Sequence, residues 1–324
     1  MILALETSCD ETCAAVMAPD GTLRASIVAS QAAEHVAFGG VVPEIASRRH
    51  LELVEPTVRA ALERAGCGLD ELSGVAVTTG PGLIGALLVG VGYAKGLAYG
   101  LGLPLTAVDH LRGHVASLQL ASDAPDGPHL VLLASGGHTL LLDVDASGTV
   151  QTLARSLDDA AGEAFDKGAR LLGLGYPGGP ALAALAATGD PAVHPFTTPL
   201  AGRDDLAFSF SGLKTALAQA VVAQAAAVAD LAAAYQEAIV RHLVERALLG
   251  LRASGRTTLG LVGGVAANAR LRAALSELPA TVVAAPLELC GDNAAMIARA
   301  ALDLEPLDPR AALALDAHAR SALG

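Results

Sequence analysis

Apolar and polar positions along the chain fall into two matching series. Short apolar runs at residues 2–5, 14–18 and 23–29, parted by polar turn residues such as Asp20-Gly21, predict three antiparallel strands. Helical periodicity over 43–65 follows, then a strand at 74–78, a Gly-Pro-Gly turn at 80–82, a small-residue helix over about 83–99 and a strand at 104–108. The second series repeats this order. Strands at 129–134, 139–144 and 150–153 precede a helix over about 231–254 and a strand at 258–262. A Gly263-Gly264 turn then opens a helix at 267–275, followed by a strand at 281–285 and a last helix near 293–302. Each series reads β-β-β-α-β-α-β-α. The repeat predicts two similar α/β domains facing each other, residues 1–115 and 116–324, with a segment at about 155–228 inserted in the second.

The most specific chemistry lies just after the strand at 104–108. His110 and His114 are one helical turn apart, so their imidazoles can converge on one metal ion, or simply decorate a helix start. No Glu follows His110, which removes the general base of the HExxH peptidase pattern. In the second series the equivalent strand leads into Cys290-Gly291-Asp292-Asn293. If the repeat brings the two strand ends to one cleft, His110, His114 and Asp292 form a two-His, one-carboxylate set with open positions. The competing reading of Asp292 is a helix N-cap.

Glycine-rich turns follow strands at Gly80-Pro81-Gly82, Ser135-Gly136-Gly137 and Gly263-Gly264, and a further one stands at Pro177-Gly178-Gly179-Pro180. Backbone amides in such turns can cradle phosphate, and their distribution over both series suits a nucleotide cleft between domains. Asn268 can meet a purine edge or ribose, or cap the helix it precedes. Asp166 can bind ribose hydroxyls, or lie beside a Glu163–Lys167 surface pair. Asp10 and Glu11 sit in the first hairpin turn, facing the cleft mouth or solvated.

Composition then limits the classes. With 324 residues, 52% hydrophobic and 17% charged, the chain predicts well-buried cores and not disorder. A net charge of -12 counts against unaided binding of nucleic acid over a broad face, although Arg48, Arg49, His50, Lys95 and Arg112 could make a local patch. The N-terminal residues read as a strand, not a signal peptide, and no apolar run free of Gly or polar breaks reaches the roughly 18–20 residues of a membrane span. Cytoplasmic residence without membrane attachment is the expectation. Cys9, Cys13, Cys67 and Cys290 lack CxxC spacing and read as buried free thiols.

Several runs together resemble one family. They are Glu6-Thr7-Ser8-Cys9-Asp10-Glu11-Thr12, Val42-Pro43-Glu44 to His50, Gly80-Pro81-Gly82-Leu83, His110-x-x-Gly113-His114, Ser135-Gly136-Gly137-His138-Thr139 and Glu163-Ala164-Phe165-Asp166-Lys167. Further along come Tyr176-Pro177-Gly178-Gly179-Pro180, Phe208-Ser209-Phe210-Ser211-Gly212-Leu213-Lys214, Gly263-Gly264-Val265-Ala266-Ala267-Asn268 and Asp292-Asn293-Ala294-Ala295-Met296. This set resembles the TsaD (Gcp) family of tRNA threonylcarbamoyladenosine transferases, once labelled sialoglycoproteases, over nearly the whole chain.

The resemblance implies a duplicated actin-like, sugar-kinase-like fold of the ASKHA and RNase H-like type, with a central cleft. It implies transfer of threonylcarbamoyl from threonylcarbamoyl-AMP to the N6 amine of adenosine at tRNA position 37, in tRNAs reading codons that begin with A. It also implies that His110, His114 and Asp292 carry Fe2+ or Zn2+. Leu133, Ala134, Ser135, Gly136, Gly137, Asp166, Gly179 and Asn268 would hold the adenylate, and Asp10, Glu11 and His138 would stand near the reacting groups. The implied partners are a TsaB-like homologous protein, a TsaE-like ATPase and an upstream synthase that supplies the adenylate. This chain departs from relatives at Gly291, where Thr is usual, at Arg49, where an acid is common, and at Ala183, where many have Asp near the ribose. The rival readings are an ATP-dependent small-molecule kinase of the same architecture and a non-catalytic scaffold of a tRNA-modification complex.

Overall fold

The computed structural model describes residues 1–321 and 323. In the first series lie β1 (Ile2–Glu6), β2 (Glu11–Met17), β3 (Leu23–Ser30), α1 (Ala32–His35), α2 (Pro43–Ala65), β4 (Gly74–Gly80), α3 (Ile84–Leu101), β5 (Leu105–Asp109) and α4 (His110–Ala116). The second contains β6 (His129–Ala134), β7 (Thr139–Val144), β8 (Val150–Arg155), α5 (Ala161–Leu171), α6 (Gly178–Ala186), α7 (Ser211–Val222) and α8 (Val228–Ser254). It closes with β9 (Thr258–Val262), α9 (Ala269–Ser276), β10 (Thr281–Ala284) and α10 (Ala294–Ala301).

The duplication is topological. One five-stranded sheet has the order β3-β2-β1-β4-β5, and the other, β10-β9-β6-β7-β8, is the same order read from the opposite edge. In both, the first three strands are antiparallel and the last two join in parallel. The central strands are buried on both faces, so they read as continuous apolar runs: Leu3, Ala4 and Leu5 in β1, and Leu130 through Ala134 in β6, have no exposed surface. Helix α2 begins with Pro43 at its first position and ends on Gly66 in the left-handed conformation, which is why its bounds are legible locally.

The chain divides into two compact units, Met1–Leu120 with residues 291–321, and Ala121–Cys290 with Leu323. This corrects the expectation that everything after the first domain belongs to the second. Helix α10 leaves the second series and packs on β1, β2 and α4, with Ala294, Ala295, Met296, Ile297 and Ala298 fully buried there. Burial of that apolar face overrides sequence order. The first boundary also lies later than predicted, beyond the short 3-10 turn Ser117–Leu120. The inserted segment supplies α5, α6 and α7, and α6 and α7 pack on α8. Among the described residues one helix, α3, is long and apolar enough to cross a membrane by length and composition, and 33% of it is buried inside the structure.

Candidate metal centre and glycine-lined cavity

Helix α4 starts at once after β5 because Asp109 caps it, its Oδ1 accepting from the Leu111 amide at 2.9 Å and the Arg112 amide at 3.3 Å. Ser321 donates its hydroxyl to the other Asp109 oxygen at 2.6 Å. That cap makes His110 the first helical residue and puts His114 on the same face. Gly113 between them lets α10 come close, since a Cβ there would lie 2.7 Å from Ile297 Cδ1. At the head of α10 the cap is Asn293, whose Oδ1 accepts from the Met296 amide at 2.9 Å while its Nδ2 donates to Gly291 O at 2.9 Å.

Because Asn293 does the capping, the Asp292 carboxylate is directed elsewhere. Its Oδ1 lies 3.6 Å from His110 Nε2 and 3.4 Å from His114 Nε2. Candidate ligand atoms of the three residues all lie within 4.8 Å of one another. The trio expected from sequence thus comes together, but by a different route. Asp292 arrives with the segment that joins the first unit, so all three residues belong to that one unit.

The donor set fits a divalent transition ion. His114 is fully buried and neither of its ring nitrogens has a hydrogen-bond partner, an arrangement that costs about 1–3 kcal/mol per unmet group unless something else is bound there. Two imidazoles and one carboxylate are a borderline nitrogen and oxygen set of the kind found in open, reactive metal sites.

Charged groups around the trio shift one another's titration. Burial lowers the His110 imidazole, but Asp292 and Glu6 outweigh it and push the group up to about 9. Burial raises Glu6, yet the His110 imidazole beside it holds the carboxyl below its usual value. Glu11, the first residue of β2, is pushed up to about 9 by burial, then by the charges of Asp10 and Asp292. Its carboxyl also shares a hydrogen bond with Asp10 and accepts one from Ser30 Oγ at 3.3 Å.

The second unit holds a cavity of about 520 Å³. Four of the predicted nucleotide residues, Gly136, Asp166, Gly179 and Asn268, line it together with Gly162, Phe165, Ala183 and Gly264. Asp166 Oδ1 accepts from the amides of Gly178 and Gly179 at 2.9 and 3.1 Å, which ties α5 to the start of α6. Asn268 takes the helix-cap reading, with its Oδ1 accepting from the Leu271 amide, while its Nδ2 donates to Gln236 Oε1 at 2.8 Å and the residue lines the cavity. The β6–β7 turn rests directly on α5. A Cβ at Gly162 would lie 2.5 Å from Ser135 O, and the Gly162 amide donates to that oxygen at 3.0 Å.

Other predicted residues stand apart from the lining. Leu133 and Ala134 are buried within β6, and Ser135 and His138 close the hairpin through two backbone and hydroxyl bonds, with Gly137 between them. At the Gly80-Pro81-Gly82 turn, His318 occupies the space a Cβ of Gly80 would take and Ser8 that of Gly82. The Glu163–Lys167 pair is real, at 2.8 Å, and Lys167 also meets Asp159 at 2.9 Å. Ala183 does line the cavity, and a Cβ at Gly291 would meet nothing within 4 Å. Arg49 pairs with Glu34 and Glu52. Sequence reasoning gave Glu6 no role. The signal available was a charged residue ending an otherwise apolar central strand.

The family profile described as "TsaD: tRNA N6-adenosine threonylcarbamoyltransferase" matches residues 22–299. The chain belongs to this family. It is 49% identical over 322 residues to the tRNA N6-adenosine threonylcarbamoyltransferase of Sphingopyxis alaskensis, covering 96% of this chain and 94% of the relative. It is 52% identical over 306 residues to that of Anaeromyxobacter dehalogenans strain 2CP-1, covering 92% of each. Solved structures agree on the duplicated actin-like fold of the transferase family. A HypF from T. kodakarensis matches with a TM-score of 0.64 at 17% identity, over 93% of this chain and 47% of that one. The activator of 2-hydroxyisocaproyl-CoA dehydratase from Clostridium difficile matches with a TM-score of 0.55 at 13% identity, over 93% of both.

Proposed function

We propose that this chain transfers the threonylcarbamoyl group of threonylcarbamoyl-AMP to the N6 amine of adenosine at tRNA position 37. The observation that carries this reading is that a chain 49% identical to a named transferase keeps His110, His114 and Asp292 together as one ligand set. In the reaction a bond forms from N6 to the carbamoyl carbon, the bond from that carbon to the phosphate oxygen breaks, AMP leaves, and the amine gives up a proton.

The cavity residues Gly136, Asp166, Gly179 and Asn268, backed by residues 133–137 of the β6–β7 hairpin, hold the AMP portion and so restrict the reacting carbonyl. Fewer ribose contacts are expected here than in relatives with an acid at 183, since Ala183 offers only a methyl group. His110, His114 and Asp292 hold one divalent ion, Fe2+ or Zn2+, which when bound supplies Lewis acidity toward the carbamoyl or phosphate oxygen. Glu11 or Asp10 receives the proton of the amine, and His138 serves the reacting groups from the β6–β7 turn. Burial first, and then the charges of Asp10 and Asp292, push the Glu11 carboxyl up to about 9, which makes it a stronger base than an ordinary carboxylate.

A net charge of -12 suits a protein that reaches tRNA in company. The partners proposed are a TsaB-like homologue, a TsaE-like ATPase and an upstream synthase that forms the adenylate; the compartment proposed is the cytoplasm. The deciding experiment supplies premade threonylcarbamoyl-AMP carrying labelled threonine to unmodified tRNA, with and without those partners. Label in the tRNA is the expected result, and no transfer under any combination would sink the reading. A small-molecule kinase of the same fold has no need of the two histidines. Stoichiometric metal that is lost in His110→Ala together with tRNA labelling separates the two.

A further inference from the structure

Beneath α4 lies a carboxylate that the reaction just described does not use. Glu6, the last residue of β1, is fully buried. Its Oε2 lies 2.9 Å from His110 Nδ1 and accepts the Thr78 hydroxyl at 2.6 Å, while Oε1 accepts from the Ser8 amide. Ser8 Oγ also lies 3.2 Å from His110 Nδ1. Both carboxylate oxygens are therefore committed, and Thr78 is itself fully buried in β4 next to β1. A charge held this deep in a sheet is costly unless it is paired and hydrogen-bonded, and its partner here is a ring nitrogen on the side of His110 away from Asp292.

His114 is different. Neither of its nitrogens has a hydrogen-bond partner, and its ring meets that of His110 edge to face at 4.7 Å between centroids. We propose that Glu6 is a positioning residue of the metal centre, which accepts the Nδ1–H of His110 and thereby presents the Nε2 lone pair toward Asp292. His110 is then the anchored ligand and His114 the adaptable one. The proposal rests on the reading of His110, His114 and Asp292 as a metal centre.

The test uses the full chain and zinc alone. Zinc affinity is measured by chelator competition for the unaltered chain, Glu6→Gln, Thr78→Val and Thr78→Ser. The unaltered chain should bind one zinc, and Glu6→Gln should bind it about 10- to 100-fold more weakly, the usual consequence of losing such a partner. Thr78→Val, which frees Glu6 to turn, should weaken zinc by about threefold or more, and Thr78→Ser should restore it. A role in folding alone would not move the tautomer. Ring nitrogen NMR of His110 should show one Nδ1–H form in the zinc-loaded unaltered chain and a mixture in Glu6→Gln. Equal zinc affinity in folded Glu6→Gln overturns the proposal and leaves the metal centre standing. If Glu6→Gln does not fold, the Thr78 pair decides, and zinc binding by Thr78→Val equal to that of Thr78→Ser overturns it. No zinc bound by the unaltered chain would overturn both readings.

Discussion

The β1–β2 and β6–β7 hairpins hold the same place in two sheets of the same strand order, yet their turns have opposite chemistry. The first is rimmed by carboxylates, with Glu6 ending one strand, Asp10 in the turn and Glu11 starting the next. The second turn, Ser135 to His138, contains no acid, and a Cβ at Gly136 or Gly137 would meet nothing within 4 Å. One turn gathers negative charge that suits a cation. Its counterpart leaves room and neutral backbone beside a cavity, which suits the phosphate end of a nucleotide. The two units share a framework, and on the proposed reading the side chains at equivalent turns divide the work.

If the division is real, changes in one unit should leave the other's ligand untouched. Asp292→Ala should bring the largest effect, loss of the bound metal and a fall in transfer of about a thousandfold, read by metal analysis and tRNA labelling. Adenylate affinity should stay within about twofold, and a parallel collapse would break the comparison. Glu11→Ala should lower transfer by about a hundredfold or more, again with adenylate affinity kept. Near wild-type turnover in that variant would remove Glu11 from the chemistry.

The acidic turn also predicts a pH dependence that the glycine turn does not. His110 must shed a proton to ligate through Nε2, and in the metal-free protein it holds that proton up to about 9. Zinc affinity should therefore rise by about tenfold per unit from pH 7 and level off near 9, whereas adenylate affinity should stay nearly flat. Stability follows the same sign. Because the folded value lies above the ordinary 6.5, the contribution of His110 is fully present below that pH and is lost as pH rises through about 9. Glu11, also raised to about 9 from 4.5, adds a loss in the same direction. Metal-free protein should accordingly melt lower at pH 9 than at pH 6.5, and zinc should reduce the difference.

On the other side, Gly162→Ala should push the β6–β7 turn off α5, because its Cβ would lie 2.5 Å from Ser135 O and 2.8 Å from Gly136 Cα. Such a displacement costs about 1–3 kcal/mol, so adenylate should bind about tenfold more weakly while metal content is unchanged. The smallest effect is expected for Asn268→Ala, which removes the α9 cap and the bond to Gln236 and should cost about 1 kcal/mol in denaturant unfolding. An unaltered midpoint would show that the cap contributes nothing to stability.

What the sequence by itself determined is what local physics governs. All ten strands among the described residues were legible, because alternation and apolar runs report burial over a few residues, and α2 was legible because Pro43 and Gly66 mark its ends. The shared face of His110 and His114 follows from helical spacing alone. Tertiary structure decided the rest. Capping by Asn293 is what left Asp292 for the histidines, and packing of α10 on the first sheet is what brought Asp292 into their unit. Closure of the Gly80-Pro81-Gly82 turn by Ser8 and His318 depends on contacts with distant segments. Glu6 and His110 stand 104 positions apart, and no periodicity encodes such a pair. Hydrogen bonds between neighbours along the chain leave a mark in the sequence; those made by burying one segment against a distant one exist only once the chain has folded.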